Sequence, residues 1–95
     1  MTSLESLYAL YLQHPQVTTD SRDCPPGSIF FALKGESFDG NLFAARALVQ
    51  GCSLAVVDNP DVAAGDRFVL VPDVLAALQQ LAAMHRLRWG KTVLQ

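Results

Sequence analysis

Two polar turns hold the side chains of this sequence best suited to chemistry. Asp20-Ser21-Arg22 offers a carboxylate, a hydroxyl and a guanidinium in consecutive positions. The second turn runs from Lys34 through Gly35, Phe38, Asp39 and Gly40 to Asn41, and combines an ammonium, the carboxylates of Glu36 and Asp39, and two glycines. Each follows a strand-like segment, and the ends of strands are where open α/β sheets place their ligand crevices. The second turn also leads into a helix N-terminus, whose unpaired N–H groups and dipole favour an anion such as a diphosphate. Ser21, Arg22 and Lys34 add donors and positive charge to such a site. A purely structural reading stands beside this one: Asp20 and Asp39 cap turns, Arg22 pairs with a neighbouring acid, and Lys34 is a solvated loop charge.

Other chemical patterns are weaker. Gly90-Lys91-Thr92 imitates the end of a GxxxxGK[ST] phosphate loop, but His85 stands where the first glycine belongs, and the segment closes a helix instead of following a strand. It reads as a helix C-cap. His85 lies on an apolar helix face without further metal ligands close in sequence, so packing is its expected role. Phe30, Phe31 and Phe43 sit at strand or helix spacing and are expected to fill core volume. There is no nucleophile elbow, no HExxH and no histidine pair at ligand spacing, so no catalytic or metal residue is expected in this chain. Cys24 and Cys52 form no CxxC and are read as reduced thiols.

The elements that must position these groups follow from periodicity. Leu4, Leu7, Tyr8, Tyr11 and Leu12 mark an amphipathic helix over 3–13, with Ser3 as N-cap and Pro15 forcing an end near His14. Val17-Thr18-Thr19 suits a short strand, and Ser28 to Leu33 is an apolar run typical of a strand covered on both faces. A helix is predicted over 41–50, capped by Asp39 or Asn41, stopped by Gly51, and buried through Phe43, Ala44, Ala47 and Leu48. Leu54 to Val57 and Phe68 to Val71 read as two further strands. Asp73 caps a last helix whose face carries Leu75, Leu78, Ala82, His85 and Trp89, helped by Val74 and Leu81, with Gly90 as its end and Thr92-Val93-Leu94 as the start of another strand. The resulting expectation is an α/β fold: one small domain with a mixed or parallel sheet packed with about three helices.

Composition bounds the function. The 95 residues carry a net charge of −2, from seven Lys and Arg against nine Asp and Glu, and 51% are hydrophobic. That is enough for one globular core and leaves no basic footprint for nucleic acid or an anionic membrane surface. No apolar run approaches spanning length, and the first basic residue, Arg22, comes too late for a signal peptide, so a cytoplasmic location is expected.

Taken together, Thr19-Asp20-Ser21-Arg22, the stretch from Pro26 to Gly35, Phe38-Asp39-Gly40-Asn41, and Ala47-Leu48 through Gly51 to Ala55-Val56-Val57-Asp58 closely resemble the N-terminal domain of the Mur ligases. Within that family Phe30-Phe31-Ala32-Leu33-Lys34-Gly35 followed by Phe38-Asp39-Gly40 is most similar to the members that add D-alanyl-D-alanine to UDP-N-acetylmuramoyl-tripeptide. The members that add the third amino acid are near relatives. Leu81-Ala82 through His85-Arg86 also resembles the family's last helix before the central ATPase domain.

The resemblance implies an ATP-dependent amide ligase of peptidoglycan synthesis, in which a substrate carboxylate becomes an acyl phosphate that an amine attacks. It implies that this domain holds the UDP end of the substrate, while ATP and magnesium are bound in a central domain and a C-terminal domain helps to bind the incoming dipeptide. Residues 1–91 are then the UDP-substrate-binding domain, 92–95 the start of the connection onward, and the chain an excised part of a longer ligase, inactive alone. Ser21 and Arg22 would lie against the diphosphate or ribose. The turn of Lys34, Gly35, Phe38, Asp39, Gly40 and Asn41 would surround the uridine, with Phe38 as a stacking candidate. Asn41 stands where related sequences often carry His, which affects how the base edge is read. The contrasting expectation is a freestanding nucleotide-sugar-binding or protein-interaction module without catalysis.

Overall fold

The computed structural model describes residues 2–14, 16–35, 39–63 and 65–93, with residues 87–93 as backbone. Helix α1 (Leu4–Gln13) opens the chain, followed by strands β1 (Val17–Thr18) and β2 (Ile29–Phe31), a 3-10 turn (Gly40–Phe43), helix α2 (Ala44–Gln50), strands β3 (Leu54–Val57) and β4 (Phe68–Leu70), and helix α3 (Val74–Val93). The strands lie in the order β1-β2-β3-β4. Every pair is parallel, with Val17 opposite Ile29, Phe30 opposite Ala55 and Val56 opposite Val69. The expected mixed or parallel sheet is therefore parallel throughout.

Alternation along the strands builds two cores. Ile29, Phe31, Val56 and Val69 face one side, where they meet Leu7 and Tyr8 of α1 and Val74, Ala77 and Leu81 of α3. Phe30, Ala32, Ala55 and Val57 face the other, against Ala44 and Ala47 of α2 and Cys52. With both faces covered, the strands read as unbroken apolar runs, as parallel sheets require. Among the described residues, only the β2-to-β3 crossover is helical. Residues 19–28, 58–63 and 65–67 are loops that press Cys24, Val62 and Ala63 onto the α2-side core, taking the place of helices there.

Local chemistry sets the element ends. The Ser6 N–H donates to Ser3 Oγ at 3.2 Å to cap α1. The Ala76 N–H donates to Asp73 Oδ1 at 3.2 Å, which caps α3. Asp39 caps the 3-10 turn through the Asn41 N–H, and Gly51 ends α2 at φ +136°, a conformation that glycine adopts without the Cβ penalty. Gly40 is required for a different reason. Its N–H donates to Leu33 O at 2.7 Å, and a Cβ there would meet that oxygen at 2.5 Å.

Three helical expectations are corrected. In α1, Leu7 and Tyr8 are buried but Leu12 is half exposed, and Leu10 packs against the core instead. The buried face of α3 is Val74, Ala77 and Leu81 with Leu78 and Met84 beside them, whereas Leu75 is 51% exposed and Ala82 also faces solvent. One residue turns a helix by about 100°, so seating Val74 on the sheet carries Leu75 out to its edge. Finally, α3 runs through Gly90 to Val93, so Gly90 does not end it and Thr92-Val93 do not begin a strand. A helical glycine costs only about 0.5–1 kcal/mol and breaks no ladder bond, unlike proline. The expected boundary between 91 and 92 falls inside this helix; the Trp89 side chain and Leu94 lie outside the described residues.

Candidate functional site

Because all four strands are parallel, the segments that follow them emerge at one edge of the sheet: Thr19–Arg22 after β1, Lys34 and Gly35 with Asp39–Asn41 after β2, Asp58–Asn59 after β3 and Val71–Asp73 after β4. Two clefts open there. One, of about 500 Å³, is lined by Thr19, Asp20, Ser21, Arg22, Phe43 and Arg46. The other, of about 350 Å³, is lined by Lys34, Asp58, Pro72, Asp73, Val74 and Leu75.

The first cleft has the charge balance an anion needs, two arginines against one aspartate. Arg22 is held by Asp20 in a forked pair, Nε to Oδ1 at 3.1 Å and Nη2 to Oδ2 at 3.2 Å, while the Arg22 N–H donates to Oδ1 at 2.9 Å. These bonds hold the Asp20 carboxyl below its usual range, the guanidinium bond first, and raise the Arg22 guanidinium in turn. Both groups are exposed, so the pair adds little to stability, but it orients the arginine. The Nη1 donors of Arg22 and the Ser21 hydroxyl make no bond to a described residue. Arg46, on the exposed side of α2, has no ion pair among the described residues.

The second cleft satisfies itself. Asp58 Oδ2 accepts the Val74 N–H at 3.2 Å, so a carboxylate of the chain already occupies the start of α3. Asp58 Oδ1 stands 3.6 Å from Lys34 Nζ. With Asp73 also present, the carboxylates outnumber the single lysine.

Between the clefts lies a buried polar hub. Asn41, 2% exposed, donates through Nδ2 to Asp39 Oδ1 at 2.7 Å and to Asp58 Oδ1 at 3.0 Å. Its Oδ1 accepts the N–H groups of Asp58 at 3.1 Å and Asn59 at 3.3 Å. Every donor and acceptor site of the amide is thereby used. The bond from the Asn41 side chain, then that from its backbone N–H, holds the Asp39 carboxyl below its usual range.

The eight residues grouped by the sequence reading are thus divided. Ser21 and Arg22 line the first cleft and Lys34 the second, with Gly35 exposed beside Lys34. Asp39, Gly40 and Asn41 form the underlying scaffold; Phe38 lies outside the described residues. The expected helix N-terminus is a 3-10 turn with Asp39 already on its first free N–H, so a carboxylate of the chain itself takes that position. Arg46 and the half-buried Phe43 join the first cleft unforeseen. Their spacing of three on one helical face was visible, but only the placement of the β1 loop beside that face gives it meaning.

The expectations for the cysteines and for His85 hold at this level. Cys24 and Cys52 are free thiols. His85 packs in an aromatic group with Tyr8 and Tyr11, its Nδ1 3.3 Å from Tyr8 Oη. Gly90-Lys91-Thr92 is helical, in a setting that no phosphate loop uses, and no group of three metal-ligating side chains comes together among the described residues. No described helix is long and apolar enough to cross a membrane.

The first cleft thus lies at the carboxyl edge of a parallel α/β sheet, where open sheets of this class place their ligand crevices. The chain belongs to the Mur ligase family: the family model described as "Mur ligase family, catalytic domain" matches residues 15–86. It corresponds to the N-terminal domain of these ligases. UDP-N-acetylmuramoyl-tripeptide--D-alanyl-D-alanine ligase of Synechocystis is 41% identical over 77% of this chain and 16% of its own length. UDP-N-acetylmuramoyl-L-alanyl-D-glutamate--2,6-diaminopimelate ligase of Rickettsia montanensis is 35% identical over 79% of this chain and 16% of its own. The crystal structure of MurF ligase from Thermotoga maritima in complex with ADP superposes with a TM-score of 0.69 at 28% identity, over 96% of this chain and 18% of that one. The chain therefore spans less than a fifth of the length of these relatives.

Proposed function

We propose that this chain is the part of a cytoplasmic, ATP-dependent peptidoglycan ligase that holds the UDP end of UDP-N-acetylmuramoyl-tripeptide, and that the whole enzyme adds D-alanyl-D-alanine to that substrate. The observation that carries the reading is the first cleft, where Ser21 and Arg22 stand with unused donors at the carboxyl edge of a parallel sheet. A diphosphate suits it because guanidinium groups bind phosphate oxygens in a planar fork and the bond is charge-assisted on both sides. ATP and magnesium are assigned to the rest of the ligase, together with the acyl-phosphate chemistry and the incoming dipeptide.

Membership of the family and the similarity to the Synechocystis ligase support the choice of reaction. The similarity to the diaminopimelate-adding ligase keeps a second reading in view, addition of the third amino acid. Both readings place a UDP group on this domain, so the cleft is tested first. Adding UDP to the isotopically labelled chain is expected to shift the amide resonances of Thr19 to Arg22 and of Phe43 to Arg46. Affinity is expected near millimolar, since an open cleft buries only part of the ligand. Shifts confined to residues 60–86, or none at 10 mM UDP, would overturn the assignment.

A further inference from the structure

Arg46 belongs to none of the motifs from which the site was read, yet it lines the same cleft as Arg22. It projects from the exposed side of α2, whereas Arg22 projects from the loop after β1, so the two guanidinium groups approach the cleft from different elements. Arg22 is already engaged: Asp20 takes its Nε and one Nη2 donor. Arg46 has no ion pair among the described residues. With nine acidic residues against seven basic ones in the chain, a local excess of two arginines over one aspartate sets this cleft apart from its neighbour, where Asp58 and Asp73 face Lys34.

We infer that Arg46 is the second cationic arm of the cleft, closing on a diphosphate from α2 while Arg22 holds it from the β1 loop, and that Asp20 competes with the ligand for Arg22. This rests on the reading of the cleft as the seat of the UDP diphosphate. A diphosphate presents oxygens on two phosphorus atoms and can occupy both arms at once; a monophosphate satisfies one, and a nucleoside neither. Selectivity for the diphosphate then comes from the separation of the two arms. Phe43, one helical turn before Arg46, lines the cleft with an aromatic face on which the uncharged part of the ligand can lie.

The test titrates UDP, UMP and uridine into the chain and its variants at several salt concentrations. Arg46→Ala is expected to weaken UDP about tenfold, the low end for a charge-assisted bond because the site is open to water. Uridine should change less than twofold, and the salt dependence of UDP affinity should become shallower. Arg46→Lys should recover part of the loss. Asp20→Asn, which keeps an acceptor for the Arg22 N–H while removing the competing charge, should tighten UDP several-fold. If Arg22→Ala weakens UDP and Arg46→Ala does not, the second arm is refuted while the cleft stands. If neither substitution alters UDP affinity, the cleft reading fails with it. Equal losses of UDP and uridine in Arg46→Ala would make Arg46 a packing residue and refute the inference. A looser UDP complex in Asp20→Asn would remove Asp20 as competitor.

Discussion

Removing the amide of Asn41 should cost more stability than any exposed side chain near the clefts. The side chain is 2% exposed and bridges three segments: the turn after β2, the loop after β3 and, through Asp58, the first N–H of α3. Asn41→Leu keeps the volume but leaves the N–H groups of Asp58 and Asn59 without their acceptor, at about 1–1.5 kcal/mol each where some water can enter. It also removes the donor that bridges the Asp39 and Asp58 carboxylates, worth about another 1 kcal/mol in this half-buried setting. The total is about 3–4 kcal/mol, a large share of the stability of so small a domain. Asn41→Asp is the sharper probe, because it puts a third carboxyl where the amide now donates to Asp39 at 2.7 Å and Asp58 at 3.0 Å. The new group is pushed above the usual carboxylate range when folded, so the unfolded chain ionises first as pH rises. Its penalty is therefore absent below about pH 4, grows as pH rises, and is complete once the folded group has also lost its proton. Urea denaturation followed by circular dichroism across pH 4 to 8 measures both variants. A loss below 1 kcal/mol for Asn41→Leu, or a pH-independent loss for Asn41→Asp, would refute the hub.

Two further outcomes follow from burial. Leu81→Ala, in the core between α3 and the sheet, should lose about 2–4 kcal/mol, whereas Leu75→Ala, 51% exposed, should lose less than about 1 kcal/mol; the same denaturation assay checks both. Burial, aided by the neighbouring Cys52, pushes the Cys24 thiol up from 9.0 to about 12. The folded chain keeps this proton while the unfolded chain releases it from about pH 9, so stability is level below that pH and declines towards pH 12. Iodoacetamide at pH 8 should accordingly modify the native chain far more slowly than the chain in urea, as mass spectrometry would record.

The physics of single segments made most of the elements legible in the sequence. Apolar runs bounded by Gly27, Gly35 and Asp58 marked β2 and β3, and Ser3, Asp39 and Asp73 announced helix starts because a short polar side chain can satisfy a free N–H without help from the rest of the fold. Ser21 and Arg22 were legible too, since a polar turn at a strand end needs only local spacing to be seen. The direction in which a helix presents its face is not a local property. Leu75 and Val74 have similar apolarity, and only the seat of α3 on β2, β3 and β4 decided which is buried. Nor does chain order determine which strand ends become neighbours. The folded sheet set Lys34 beside Asp58 in one cleft and Arg22 in the other, gave Asn41 to the scaffold and brought Arg46 to the cleft of Arg22. Those placements arise from contacts between residues far apart in sequence, and such contacts exist only once the sheet has formed.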